Sequence, residues 1–188
     1  MKNLIKKNIE DHMNVLSESS VYITDQVSKI SKVLLDCIDS GNKILLFGNG
    51  GSAADAQHIS AELTGRFVKE RRALAAIALT TDTSALTAIG NDYGFDKIFQ
   101  RQVEALAVKG DVLIGISTSG NSTNVIKALE TGKSKHCINI SFTGNTGGKI
   151  LELSNYNINI NSNITARIQE MHILIGHLLC TCIDEKFI

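Results

Sequence analysis

The chain has 188 residues, 19 Lys and Arg against 19 Asp and Glu, no net charge, and 43% apolar residues. That balance fits one globular domain with room for one sizeable core. It excludes the basic excess of a nucleic-acid binder, and 5% aromatic residues with no Trp leave no platform for stacking bases.

The longest clean apolar run, Ala73–Leu79, is far too short to cross a membrane. The segment Met1–Asn8 meets charge again at Glu10 and Asp11 and holds no apolar stretch of signal length. A cytoplasmic protein with neither nucleic-acid nor membrane partner is expected. Cys37, Cys137, Cys180 and Cys182 lack C-x-x-C spacing and are expected to be reduced thiols, mostly buried. Without proline, the turns fall to Gly, Asn, Ser and Thr.

Residues 3–40 carry apolar residues at three-to-four spacing, from Leu4, Ile5, Ile9, Met13 and Leu16 to Val27, Ile30, Leu34 and Ile38. A polar break near Ser17–Thr24 predicts two helices, the second stopped by Gly41. Lys43–Phe47 reads as a buried strand running into the glycine loop Gly48–Ser52, with a helix over Ala53–Leu63. Leu74–Leu79 is a second strand, Ser84–Ile89 a short helical piece and Phe95–Ala107 a further helix. Asp111–Ile116 is a third strand, ending in Ser117-Thr118-Ser119-Gly120-Asn121-Ser122, with a helix from Asn124 to Glu130. Cys137–Phe142 is a fourth strand. Tyr156, Ile158 and Ile160 alternate with asparagines as a strand with one polar face. Thr165–Asp184 is a last helix. Strands alternating with helices imply a parallel sheet covered on both faces, an α/β fold without internal linker.

Ligands of such sheets bind outside the carboxyl ends of the strands. The loops 48–52 and 117–122 both sit between a strand and a helix. Helix-start N–H groups and serine hydroxyls suit a phosphate, although the same residues also serve plain turns and caps. Gly48, Gly50 and Ala53 match a dinucleotide fingerprint, but the acidic residue due about 20 positions later is missing, and so is a Walker lysine. Both nucleotide readings are rejected. His58 and Glu62 are four apart and share a helix face, as metal ligands, as an acid/base pair, or as an exposed polar pair. The last helix carries Gln169, Glu170, His172 and His177 on a largely apolar background. His172 and His177 face different directions. Gln169 and His177 are separated by about 12 Å of helix axis, so joint service needs long side chains or different subunits. His12 and His136 are expected to be solvated.

These residues fall into a recognisable pattern. Gly48–His58, Ala61–Phe67, Gly90–Phe95, Gly115–Ser122 and Arg167–His172 closely resemble the phosphoheptose isomerases of the sugar isomerase (SIS) superfamily, in order and over nearly the whole chain. The resemblance implies a three-layer sandwich in which helices flank a five-stranded parallel sheet. It also implies a homotetramer with active sites between subunits, residues 1–40 serving contacts between copies of a single domain spanning 1–188. The implied reaction converts D-sedoheptulose 7-phosphate to D-glycero-D-manno-heptose 7-phosphate for bacterial surface polysaccharide. Position by position, Ser52, Ser117, Ser119 and Ser122 match phosphate ligands and Thr118 closes their loop. Asn49, Gly50, Gly51, Asn91 and Asp92 match substrate contacts, as do Glu62 and Gln169. His58, Glu62, Gln169 and His177 match the ligands of one zinc ion, and Glu62 and His177 the acid/base pair.

The chain departs from the family in lacking prolines after Arg71 and before the last helix, and an acidic residue near Ser162–Ala166. Altered loop rigidity is expected where the prolines are missing, and altered recognition of the sugar hydroxyls where the acidic residue is. A non-catalytic regulator of the same fold that binds the replication initiator is the alternative. Such a regulator is free to lose His58, Glu62 or His177, and this chain keeps all three.

Overall fold

The computed structural model describes residues 1–187. Five strands form one parallel sheet: β1 (Ile44–Gly48), β2 (Ala76–Ala78), β3 (Val112–Ser117), β4 (Ile138–Gly144) and β5 (Tyr156–Ile160), in the order β2-β1-β3-β4-β5. Six helices cover it: α1 (Lys2–Asp39), α2 (Gly51–Thr64), α3 (Thr83–Tyr93), α4 (Ile98–Leu106), α5 (Thr123–Ser134) and α6 (Thr165–Lys186). Strand alternation sorts the core into two layers. Ile44, Leu46, Ile114 and Phe142 pack with α1, α2 and α6. Leu45, Phe47 and Leu113 pack with α4 and α5 on the other face.

The chain leaves β1 for β2 on one side and later for β3 on the other. The order therefore reverses between β1 and β3, where Gly48 lies beside Ile116. A crevice opens at such a switch point. Both glycine-serine loops lead out of it.

Four sequence expectations change. Residues 3–40 form one helix, since Ser17–Thr24 holds no Gly or Pro and the Ser20 and Thr24 hydroxyls donate back to the carbonyls of Ser17 and Ser20. Gly41, at φ 77, ends it as expected. The second strand shrinks to Ala76–Ala78, because it is an edge strand with one neighbour. Phe95–Lys97 is a 3₁₀ turn that precedes α4, and a second, Lys149–Leu153, fills the connection between β4 and β5. His12 is half-buried, its Nδ1 2.8 Å from Glu170 Oε2.

The asparagine-rich strand β5 has its free edge covered by α1. The Tyr22 hydroxyl donates to the Asn157 carbonyl at 3.1 Å and accepts from Asn159 N at 3.2 Å. The four cysteines are free, three of them buried. Burial pushes the Cys37 and Cys137 thiols to about 11 and that of Cys180 to about 12, so none of the three is a nucleophile near neutrality.

His172 ties α6 to the sheet. It is fully buried, and its Nε2–H donates to the Thr143 carbonyl at 3.0 Å. Burial lowers its pKa from 6.5 to about 4, against the opposing pull of that bond. The unfolded chain therefore binds the extra proton between those two values. The stability carried by neutral His172 is complete above pH 6.5 and is lost as pH falls toward 4, at most about 3 kcal/mol. Urea unfolding at pH 7 and pH 4.5 will show a smaller acid loss for His172→Gln than for the wild type. Equal losses would contradict this account of His172.

Candidate active site

Gly50, at φ 57, turns the chain from β1 into α2, and no side chain caps that helix. In its first turn Ser52 N and Ala53 N donate to the carbonyls of Asn49 and Gly50 at 3.0 Å, which leaves the Gly51 N–H at the helix start to face an anion. Ser52, in the first turn, is 3% exposed. The second loop is built from its hydroxyls. Ser117 Oγ lies 2.9 Å from Ser122 Oγ and 3.5 Å from Ser119 Oγ. Ser122 is the N-cap of α5 but makes no cap bond, so its hydroxyl belongs to the loop. Gly120, at φ 64, crosses the backbone of Gly147 and Gly148 so closely that a Cβ there would overlap the Gly147 carbonyl. Thr118 and Ser119 line a pocket of about 140 Å³ with Asn145, Asn163, Thr165 and Ile168.

The two loops are joined by an amide pair that the sequence did not reveal. Asn49 Nδ2 donates to Asn124 Oδ1 at 2.9 Å, and Asn124 Nδ2 donates to Asn49 Oδ1 at 2.8 Å. Asn124 stood in the sequence only as a helix-start residue.

A second constellation lies further down α2. His58 Nε2 is 3.2 Å from Glu62 Oε1 and 3.1 Å from His177 Nε2. Among the described residues no three His, Cys, Asp or Glu side chains already form a ligand cage. His58 is the hub, and the other two stand beside it. Adjacent donors of a tetrahedral zinc are about 3.3 Å apart, so both separations suit a shared ion. Two imidazoles and a carboxylate also suit zinc chemically.

Gln169 does not join them within one subunit. Its amide lies over Gly51, where a Cβ would meet Nε2 at 2.7 Å. Seven residues of α2, about 10 Å of axis, separate Gly51 from His58. Asn91 and Asp92 are exposed on α3, and Asn91 Nδ2 donates to Asp92 Oδ1 at 2.8 Å. No hydrogen bond among the described residues links them to either constellation.

Four more residues bear on the site. Asp55, three residues before His58, is raised above its ordinary 3.8 by burial, with His58 opposing, and its Oδ2 has no partner among the described residues. Phe67 stacks on His177 with centroids 5.4 Å apart. Arg71 and Asp184 form a buried ion pair at 2.8 Å. Asp55 and Phe67 fall inside the motifs, whereas Arg71 and Asp184 lie outside them and meet only through a tertiary contact.

The fold and its serine loop define an SIS protein, and a family described as SIS domain matches residues 8–144. The phosphoheptose isomerase of Aliarcobacter butzleri is 57% identical over 99% of this chain and 98% of its own length. Phosphoheptose isomerase 1 of Campylobacter jejuni is 54% identical over the full length of both chains. The solved phosphoheptose isomerase of Neisseria gonorrhoeae superposes with a TM-score of 0.93 at 46% identity, covering 98% of each chain. The chain belongs to the phosphoheptose isomerase family.

The Asn49–Asn124 pair makes a prediction. Removing Asn124 leaves the half-buried Asn49 amide without its partner, and removing Asn49 leaves the buried Asn124 Nδ2 without an acceptor, at about 1–3 kcal/mol. In urea unfolding, Asn49→Leu with Asn124→Leu will cost less than the sum of the two single changes. Additive losses would show that the pair does not couple the loops.

Proposed function

We propose that the protein is an aldose–ketose isomerase that converts D-sedoheptulose 7-phosphate to D-glycero-D-manno-heptose 7-phosphate, in the cytoplasm, for bacterial surface polysaccharide. The observation that carries this is the meeting of Glu62, His58 and His177 on two neighbouring helices. The serine loops at the sheet's switch point and the full-length likeness to proteins named phosphoheptose isomerase support it.

The reaction moves one proton from C1 to C2 and relocates the carbonyl. Taking a C1 proton from the ketose while protonating O2 gives an enediol. Removing the O1 proton and returning a proton to C2 gives the aldose. The chain supplies a carboxylate and an imidazole for these transfers, Glu62 and His177. Ser52, Ser117, Ser119 and Ser122, at the starts of α2 and α5, hold the phosphate, and Thr118 closes the loop around it. Asn49, Gly50, Gly51, Asn91 and Asp92 hold the sugar hydroxyls. His58, Glu62 and His177 would hold one zinc ion per subunit, with Gln169 joining from another copy. Zinc, when bound, stabilises negative charge on oxygen as a Lewis acid.

Assembly follows from distance. Ser52 and Glu62 are separated by ten residues of α2, about 15 Å of axis. An extended seven-carbon chain with its phosphate spans about 10 Å from C1 to phosphorus, roughly 1.25 Å of advance for each ~1.5 Å bond. The phosphate loops of one copy therefore work with Glu62 and His177 of another. A homotetramer satisfies this, and the first half of α1 offers it a surface. Leu4, Ile5, Ile9 and Met13 are each more than half exposed on one stripe.

Purified protein will isomerise sedoheptulose 7-phosphate and, in D₂O, place deuterium on C2 of the aldose. Glu62→Gln and His177→Gln will each lose at least about a hundredfold in kcat without change in oligomer size. Chelation will remove bound zinc, read by elemental analysis, together with turnover, and zinc will restore both. No turnover by a folded, assembled wild type would overturn the isomerase. Turnover indifferent to chelation would remove the metal.

A further inference from the structure

We infer that Phe67, clamped by an Asp184–Arg71 clasp, is a positioning residue that sets the orientation of the His177 ring against Glu62. The inference rests on the isomerase reading above, and it concerns side chains which that reading leaves without a role.

The ring of His177 needs an external guide. Its Nε2 faces His58 at 3.1 Å. No hydrogen bond among the described residues holds its Nδ1, the usual way a catalytic imidazole is oriented. Its other broad contact is Phe67, with centroids 5.4 Å apart and planes 27° from parallel. That stacking fixes a plane, provided that Phe67 is itself fixed.

Phe67 lies in a loop between α2 and β2 that contains no helix or strand. Such a segment holds a side chain poorly by itself. Here it is tied down from α6. Asp184 Oδ2 accepts from Val68 N at 2.9 Å and from Lys69 N at 3.0 Å, the two residues that follow Phe67. Asp184 Oδ1 accepts from Arg71 Nε at 2.8 Å, and neither side chain of that pair exceeds 2% exposure. Burial raises the Asp184 carboxyl, but the bonds from Lys69, Val68 and Arg71 outweigh it and hold the group below its ordinary value, so it stays charged. Asp184 is seven residues beyond His177, two turns along the same face of α6.

Arg71 carries the tie across to α2. Its Nη2 donates to the Glu62 carbonyl at 2.6 Å, and its Nη1 donates to the carbonyls of Leu63 at 3.0 Å and Gly65 at 3.3 Å. One guanidinium thus joins the backbone of Glu62 to the helix that carries His177. Phe67 presses on His177 from inside that closed path.

The test leaves the clasp intact, because breaking a buried ion pair endangers the fold. Phe67→Leu removes the ring face at similar volume, and Phe67→Tyr keeps it. Phe67→Leu will lower kcat about three- to tenfold with KM unchanged, while Phe67→Tyr stays near the wild type. In protein carrying ¹³C-labelled histidine, the Cε1–H resonance of His177, assigned by its loss in His177→Gln, will move in Phe67→Leu and stay in Phe67→Tyr. A Phe67→Leu variant with wild-type kcat overturns the inference, whether or not the resonance moves. So does an unmoved resonance, or a tyrosine variant as impaired as the leucine one. A wild type that turns over no sedoheptulose 7-phosphate defeats the isomerase reading instead, and the resonance then decides by itself whether Phe67 orients the ring.

Discussion

The register between α2 and α6 is the constraint on which the site depends. The two helices run side by side in the same direction. Gly51 lies under Gln169, Gly176 fits against Ile59, and His58 meets His177. Gly176 has no room for a Cβ, which would come within 2.5 Å of Ile59 Cδ1. A slip of one residue along either helix would shift its side chains by about 1.5 Å and rotate them by about 100°. His58 and His177 would then face away from each other. At the far end of the pair the buried Arg71–Asp184 interaction fixes the same register, and losing one partner of such a pair costs about 3–5 kcal/mol.

That register also places His58, Glu62 and His177 toward the opposite end of α2 from the two serine loops. α2 starts at the carboxyl end of β1. It ends where the Leu63 carbonyl accepts from Leu74 N, just ahead of β2. Ser52 and the serine loop therefore lie at the carboxyl ends of the strands, and Glu62 lies toward their amino ends. The apolar stripe on the first half of α1 fits the same picture, since Leu4, Ile5, Ile9 and Met13 stay more than half exposed.

Much of this was legible in the sequence, and the physical reasons separate what was from what was not. The first four strands were readable because each is a short apolar run closed by Gly, Ser or Thr, and β5 because its apolar residues alternate with asparagines. His58 and Glu62 were readable as a pair because helical spacing alone fixes their common face. The separation of Gln169 from His177 was readable in the same way, and the subunit keeps them apart. The break proposed at Ser17–Thr24 failed because polarity was taken for a turn signal, whereas the hydroxyls bond within the helix. Asn124, Arg71 and Asp184 were invisible because their partners are remote in sequence, 75 residues for Asn49–Asn124 and 113 for Arg71–Asp184. Local periodicity holds no information about such contacts. Phe67 was in view as part of a motif, but its stacking on His177 depends on the loop that the clasp holds down.

The central claim is that one active site takes its phosphate loop from one copy and Glu62 and His177 from another. Co-assembly of two inactive variants tests it most directly. Ser119→Asp puts a carboxylate where the phosphate should sit, and His177→Gln removes the imidazole. Each alone will be inactive. Oligomers purified through two different tags, one per variant, will regain up to about a quarter of wild-type activity, since random assembly pairs an intact loop with an intact His177 in that share of sites. Mixed oligomers with no activity would contradict the shared site.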